Sequence, residues 1–122
     1  MSAKDLKVFV VEDEPMISML VADMLEELGC RVVAAAGDIE KAAKLALSTD
    51  FDLAILDVNV KGQTVFAVAE LIQVRGLPFI FATGYGAEGL PAQFRDQPVL
   101  QKPFEIDALA KAIEGLFGQR GS

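Results

Sequence analysis

The sequence predicts an α/β fold built on a doubly wound, five-stranded parallel sheet. Three observations carry that expectation. Five short runs along the chain are apolar almost throughout, the pattern of strands covered on both faces. Segments with apolar residues at helical spacing separate most of these runs, and strand–helix alternation is the mark of a parallel sheet. The length of 122 residues fits five such units.

The elements follow in order. Leu6 to Val11 (LKVFVV) is rich in Val and Phe and ends at the acidic Glu12-Asp13-Glu14; it reads as a strand. Pro15 comes next, and its fixed φ suits the first position of a helix. Ile17, Leu20, Val21, Met24, Leu25 and Leu28 recur at helical spacing, and Gly29 stops the helix. Val32 to Ala36 is the second strand. Asp38 is placed to cap a helix over Ile39 to Leu47, because its carboxylate can accept from the unpaired N–H groups of a first turn. Leu53 to Leu56 is the third strand and ends at Asp57. Val65, Val68, Ala69 and Ile72 make a third helical face. Pro78 to Ala82 (PFIFA) is the fourth strand and ends at Thr83. Residues 84–98 hold Gly84, Gly86, Gly89, Pro91 and Pro98. Glycine entropy and the missing proline N–H disfavour a helix, so a short or irregular fourth helix is expected there. Val99-Leu100 opens a short fifth strand ending at Lys102. Ile106, Leu109, Ala110, Ile113, Leu116 and Phe117 make the last helix, with Gly118 past its end. This order is that of a flavodoxin-like (βα)5 fold. With no repeat, linker or low-complexity stretch, residues 1–122 read as one domain, its core at about 5–118, with no output domain.

Composition removes several chemistries. There are 18 Asp and Glu against 11 Lys and Arg, no His and one Cys. Without His, a His-based dyad or triad, a phosphohistidine carrier and the usual zinc sites are excluded. Cys30 alone forms no internal disulfide or CxxC pair; just before an apolar strand, it reads as a small buried hydrophobe. A net charge of −7 argues against direct contact with nucleic acid, whose phosphates need Lys and Arg. The polar start of the chain gives no secretory signal. No apolar run approaches the roughly 20 residues of a membrane span. The expected compartment is the cytoplasm.

In a doubly wound sheet, ligands sit at the carboxyl ends of the strands. The residues at those ends are Glu12 and Asp13, then Asp57, Thr83 and Lys102. Clustered carboxylates repel unless a cation joins them. All-oxygen ligation suits Mg²⁺, or Mn²⁺. Mg²⁺ keeps waters and takes phosphate oxygens, so the site invites a phosphoryl group. Lys102 supplies positive charge and Thr83 a hydroxyl donor. A carboxylate such as Asp57 can serve as nucleophile and become an aspartyl-phosphate, with the metal and Lys102 stabilising the transferring group.

With these residues in place, the chain resembles the receiver domain of two-component response regulators over nearly its whole length. Glu12-Asp13, Asp57, Thr83 and Lys102-Pro103-Phe104 carry the resemblance, each at the end of its own strand. It implies that Asp57 accepts a phosphoryl group from a histidine kinase or histidine phosphotransfer protein. It implies direct Mg²⁺ binding by Asp13, Asp57 and the main-chain carbonyl of Asn59, with Glu12 acting mostly through water. Thr83 and Lys102 would contact the phosphoryl oxygens, and the Lys102-Pro103 bond would be cis. Turnover of an external substrate is not expected. The stretch Phe81-Ala82-Thr83-Gly84-Tyr85 is similar to a subgroup of stand-alone receivers, known mostly from alphaproteobacteria and stress-response phosphorelays. Receivers often pair through the face of the fourth helix and fifth strand, so a homodimer is an open alternative.

The sequence also departs from the family. Many receivers have Pro four residues after the acceptor; Lys61-Gly62 stands here, and a less constrained loop is expected. Val99 occupies the position of the usual aromatic switch, so the aromatic that couples to Thr83 in the family is missing at that position. Tyr85, between Gly84 and Gly86, is either a substitute gate or an ordinary, partly exposed aromatic. Phe104 is either part of the switch or packing at a helix start. Three functions compete. The first is a phosphorylation-dependent switch, acting by protein contact or by relay to a His on another protein. The alternative is a phospho-independent interaction module. A hydrolase would need a second acid/base carboxylate two residues after Asp57, where Asn59 is a poor base.

Overall fold

The computed structural model describes residues 5–84 and 89–117; the expectations on Tyr85, Gly86 and Gly118 lie outside them. In chain order the main elements are β1 (Lys7–Val11), α1 (Pro15–Glu27), β2 (Arg31–Ala36), α2 (Ile39–Ser48), β3 (Leu53–Asp57), α3 (Phe66–Val74), β4 (Phe79–Thr83), β5 (Val99–Gln101) and α4 (Ile106–Phe117). The five strands form one parallel sheet in the order β2-β1-β3-β4-β5. The winding reverses between β1 and β3, which is where such folds open a crevice.

Every residue of β3 and β4 is buried, as expected of central strands covered by helices on both sides. Side chains alternate across a strand, so the sheet divides the interior in two. Phe9, Val11, Leu56 and Phe81 point into one layer with Ala42, Ala46, Val68 and Ile72 of α2 and α3. Val8, Val10, Ile55 and Ile80 point into the other with Val21 and Leu25 of α1 and Leu109 and Ile113 of α4. Cys30 is buried in this second layer.

The punctuation works as the sequence predicts. Pro15 begins α1. Gly29 ends it with φ 90°, and the N–H groups of Gly29 and Cys30 donate back to Glu26 O at 3.0 Å and Leu25 O at 2.8 Å, a Schellman closure. The Asp38 carboxylate accepts from the Lys41 N–H at 2.8 Å and caps α2. Between β4 and β5, the described residues hold a 3-10 turn at Ala92–Phe94 and no α-helix. The Lys102-Pro103 peptide is cis.

One element was not foreseen. After β3 the chain forms a small antiparallel hairpin, with Asn59 opposite Thr64 and Val60 opposite Gln63. Its turn is Lys61-Gly62, with φ 51° and 79°, the sign pattern of a type I′ turn. The expected looseness of this loop is therefore corrected: a ladder holds it. Proline, locked near −65°, could not adopt the backbone that Lys61 takes here.

Candidate functional site

The parallel register brings the strand ends to one edge. Val11 pairs with Leu56, Asp57 with Ala82 and Thr83 with Gln101. Glu12 and Asp13 follow β1 directly, Asp57 and Thr83 close β3 and β4, and Lys102 follows β5. The main chain ties these ends together. The Glu12 N–H donates to Ala36 O at 3.0 Å, and the Lys102 N–H donates to Thr83 O at 2.8 Å.

Glu12, Asp13 and Asp57 each offer a carboxylate oxygen, all within 4.8 Å of one another. Glu12 and Asp57 are only 7% exposed, so their charges are poorly solvated and need partners. Lys102 supplies one. Its Nζ lies 3.2 Å from Glu12 Oε1 and 3.2 Å from Asp57 Oδ2. Main-chain donors supply the rest. Glu12 Oε2 accepts from the Glu14 N–H at 3.1 Å, Asp57 Oδ1 from the Asn59 N–H at 3.4 Å, and Asp13 Oδ2 from the Lys61 N–H at 2.8 Å. Thr83 is buried at the end of β4 beside them.

The electrostatics follow from these contacts. Burial first, and then the charge of Asp57, hold the Glu12 carboxyl above its usual range; the Glu14 N–H and Lys102 pull the other way. The Lys61 N–H holds Asp13 below the ordinary carboxylate range. Burial alone would lower Lys102, but Asp57 and Glu12 outweigh it and raise it. Three carboxylates gathered at one point, two of them on the Lys102 ammonium, with oxygen donors only, fit a hard divalent cation.

The structure thus brings together Glu12, Asp13, Asp57, Thr83 and Lys102, and sets Asn59 beside them in the hairpin. Val99 is set apart from them: it is half-buried, pairs with Phe81 and packs against the α2–α3 layer. Phe104 is half-buried against the α1–α4 layer and lines an apolar recess with Ile17, Leu20, Val21 and Met24. The main-chain donors of Glu14, Asn59 and Lys61 are the site groups missed in the sequence. The Lys61-Gly62 pair could have flagged a hairpin, though it is a weaker signal than Asn-Gly or Asp-Gly.

Comparison with known proteins defines the class. Residues 8–114 match the response regulator receiver domain. The chain belongs to that family, whose members are signalling modules of two-component systems. It is 36% identical over 112 residues to the transcriptional regulatory protein PdtaR of Mycobacterium tuberculosis, covering 88% of this chain and 55% of PdtaR. It thus spans about half the length of that relative. It is 42% identical to SdrG of Sphingomonas melonis Fr1, whose solution structure it matches with a TM-score of 0.82, over 95% of this chain and 98% of SdrG. It is 28% identical to TrrA of Thermotoga maritima, solved in complex with Mg²⁺ and BeF, with a TM-score of 0.80 over 92% of this chain and 99% of TrrA. Receiver domains bind Mg²⁺ at an acidic pocket, and Glu12, Asp13 and Asp57 form such a cluster here. Among the described residues, no helix is long and apolar enough to cross a membrane.

Proposed function

We propose that this chain is a phosphorylation-dependent switch in which Asp57 accepts a phosphoryl group from a histidine kinase or histidine phosphotransfer protein. The observation that carries this reading is the meeting of three carboxylates with the Lys102 ammonium at one sheet edge. An Asp57 carboxylate oxygen attacks phosphorus and forms the new O–P bond. The donor's N–P bond breaks, and its electron pair returns to the imidazole. Lys102, already 3.2 Å from Asp57, is placed to follow the charge onto the phosphoryl oxygens. The Thr83 hydroxyl gives a further donor.

In this reading Asp13, Asp57 and the Asn59 carbonyl hold Mg²⁺ directly, and Glu12 acts through water; Mn²⁺ meets the same oxygen donors. The cation, when bound, withdraws charge from the transferring group. Asn59 stands where a hydrolase would need a base, which favours a lasting phosphorylated state over turnover. Residues 1–122 are read as one receiver domain acting in the cytoplasm. Its output is a protein contact or relay of the phosphoryl group to a His of another protein. Pairing through the β5 face is the dimer this reading allows. The Phe81-Ala82-Thr83-Gly84-Tyr85 motif supports a place in a stress-response phosphorelay.

A small-molecule phosphodonor with Mg²⁺ tests the reading. Intact mass should show one added phosphoryl group on the wild type and none on Asp57→Asn. Beryllofluoride should shift the amides of Thr83 and Lys102 in the wild type only. No Asp57-dependent change in either measurement would overturn the switch and leave the phospho-independent module.

A further inference from the structure

We propose that the Lys61-Gly62 hairpin is a positioning device for the metal site, acting through the main-chain N–H of Lys61 on Asp13. The proposal rests on the reading of Glu12, Asp13 and Asp57 as a Mg²⁺ site.

Asp13 sits in the connection after β1, where no strand fixes it. Its Oδ2 accepts the Lys61 N–H at 2.8 Å, a contact made across 48 positions of sequence. A hydrogen bond to a charged acceptor is stronger than a neutral one. The N–H is aimed there by the turn, in which Lys61 and Gly62 both have positive φ between the pairs Val60–Gln63 and Asn59–Thr64. The base of the hairpin is anchored as well. The Val65 N–H donates to Val58 O at 2.9 Å, and the Val58 N–H donates to Ala82 O at 2.9 Å on β4. The same hairpin carries Asn59, whose N–H lies 3.4 Å from Asp57 Oδ1.

One small ladder therefore orients two of the three carboxylates. It engages Oδ2 of Asp13 directly. The acting group is the amide, because the Lys61 residue itself is exposed and its main chain makes the contact. Hydrogen-bonded partners of a ligating carboxylate typically change metal affinity by about 10–100-fold.

The test uses the full chain and two readouts. Mg²⁺ titration, followed by amide shifts, compares wild type with Lys61→Gly and Lys61→Pro. Lys61→Gly keeps the amide and accommodates the left-handed backbone, so its affinity should stay within about twofold of wild type. Lys61→Pro removes the amide and forbids the turn, so its affinity should fall roughly 10-fold. In parallel, hydrogen exchange of the Lys61 amide is measured without Mg²⁺. It should be slow in wild type and about 10-fold faster in Asp13→Ala, where the acceptor is gone. That arm needs no proline, so a Lys61→Pro chain that failed to fold would leave the test standing. Equal loss in Lys61→Gly and Lys61→Pro would overturn the proposal, as would wild-type affinity in a folded Lys61→Pro. An unprotected Lys61 amide in a chain that binds Mg²⁺ would sink the positioning role alone. A protected amide in a chain that binds no Mg²⁺ would sink the metal reading, and this role with it.

Discussion

Glu12 shows how burial and charge compete at a single residue. Its carboxyl is held above the usual range by burial and by Asp57, so the folded state binds its proton more tightly than the unfolded chain does. A raised folded pKa gives stability that is present at low pH and lost as pH rises through it. Without Mg²⁺, protonation of Glu12 should therefore add stability as pH falls through its raised folded value. Glu12→Gln, which keeps the shape without the charge, should remove that slope; a chelator-containing thermal melt series on both chains reads the difference. Asp13 has the opposite sign. The Lys61 N–H depresses it, and its contribution is lost only at lower pH, as the solution falls through its folded value. Lys102 links the two other carboxylates, so Lys102→Ala leaves Glu12 and Asp57 facing each other without a cation. That variant should melt lower than wild type in chelator, and added Mg²⁺ should restore more stability to it than to wild type. An equal response of the two chains would mean that Lys102 and the metal do not share the same charges.

The elements differ in how plainly their sequences announced them. β1, β3 and β4 were legible because apolar runs end at charged or hydroxyl residues. α1 and α2 were legible because Pro15, Gly29 and Asp38 mark their ends. Asp38→Ala should cost about 1 kcal/mol by urea denaturation, since it frees the first-turn N–H of Lys41. The hairpin at Asn59–Val60 and Gln63–Thr64 left only a faint trace, because two-residue strands have no periodicity to read and Lys-Gly is a weak turn signal. Phe94 is hidden for a different reason: it lies in a segment dominated by Gly and Pro. Yet it is fully buried, with its ring 5.4 Å from that of Phe81, 5.9 Å from Phe79 and 5.9 Å from Phe66. Those rings fix the 3-10 turn to the α2–α3 layer. Phe94→Ala should therefore cost about 3–5 kcal/mol, measured by the same denaturation. A loss below about 1 kcal/mol would mean that the turn can detach without harm to the sheet.

Across the whole molecule, the rule that placed the site was topological. Parallel strands all point one way, so their carboxyl ends gather at one edge, and Glu12, Asp13, Asp57, Thr83 and Lys102 were legible there before any contact was known. The main-chain donors were hidden, because an N–H carries no side-chain signature and its direction depends on turns. If the site binds Mg²⁺ in the folded state only, stabilisation grows with concentration and reaches about 2.7 kcal/mol at 100 times the dissociation constant. Asp13→Asn should lose most of that gain, read as the shift in melting temperature with and without Mg²⁺.

The alternation of the two layers has a consequence for how such a chain can change. Leu56 belongs to the α2–α3 side and Ile55 to the α1–α4 side, so one extra residue within β3 would exchange their faces and also carry Asp57 off the edge. Two extra residues would restore the faces but not the reach. The packed interior thus works as a ruler for the charges at its rim. Point substitutions at the rim are free of that constraint, whereas insertions and deletions belong in the connections between strands, where the register is not counted.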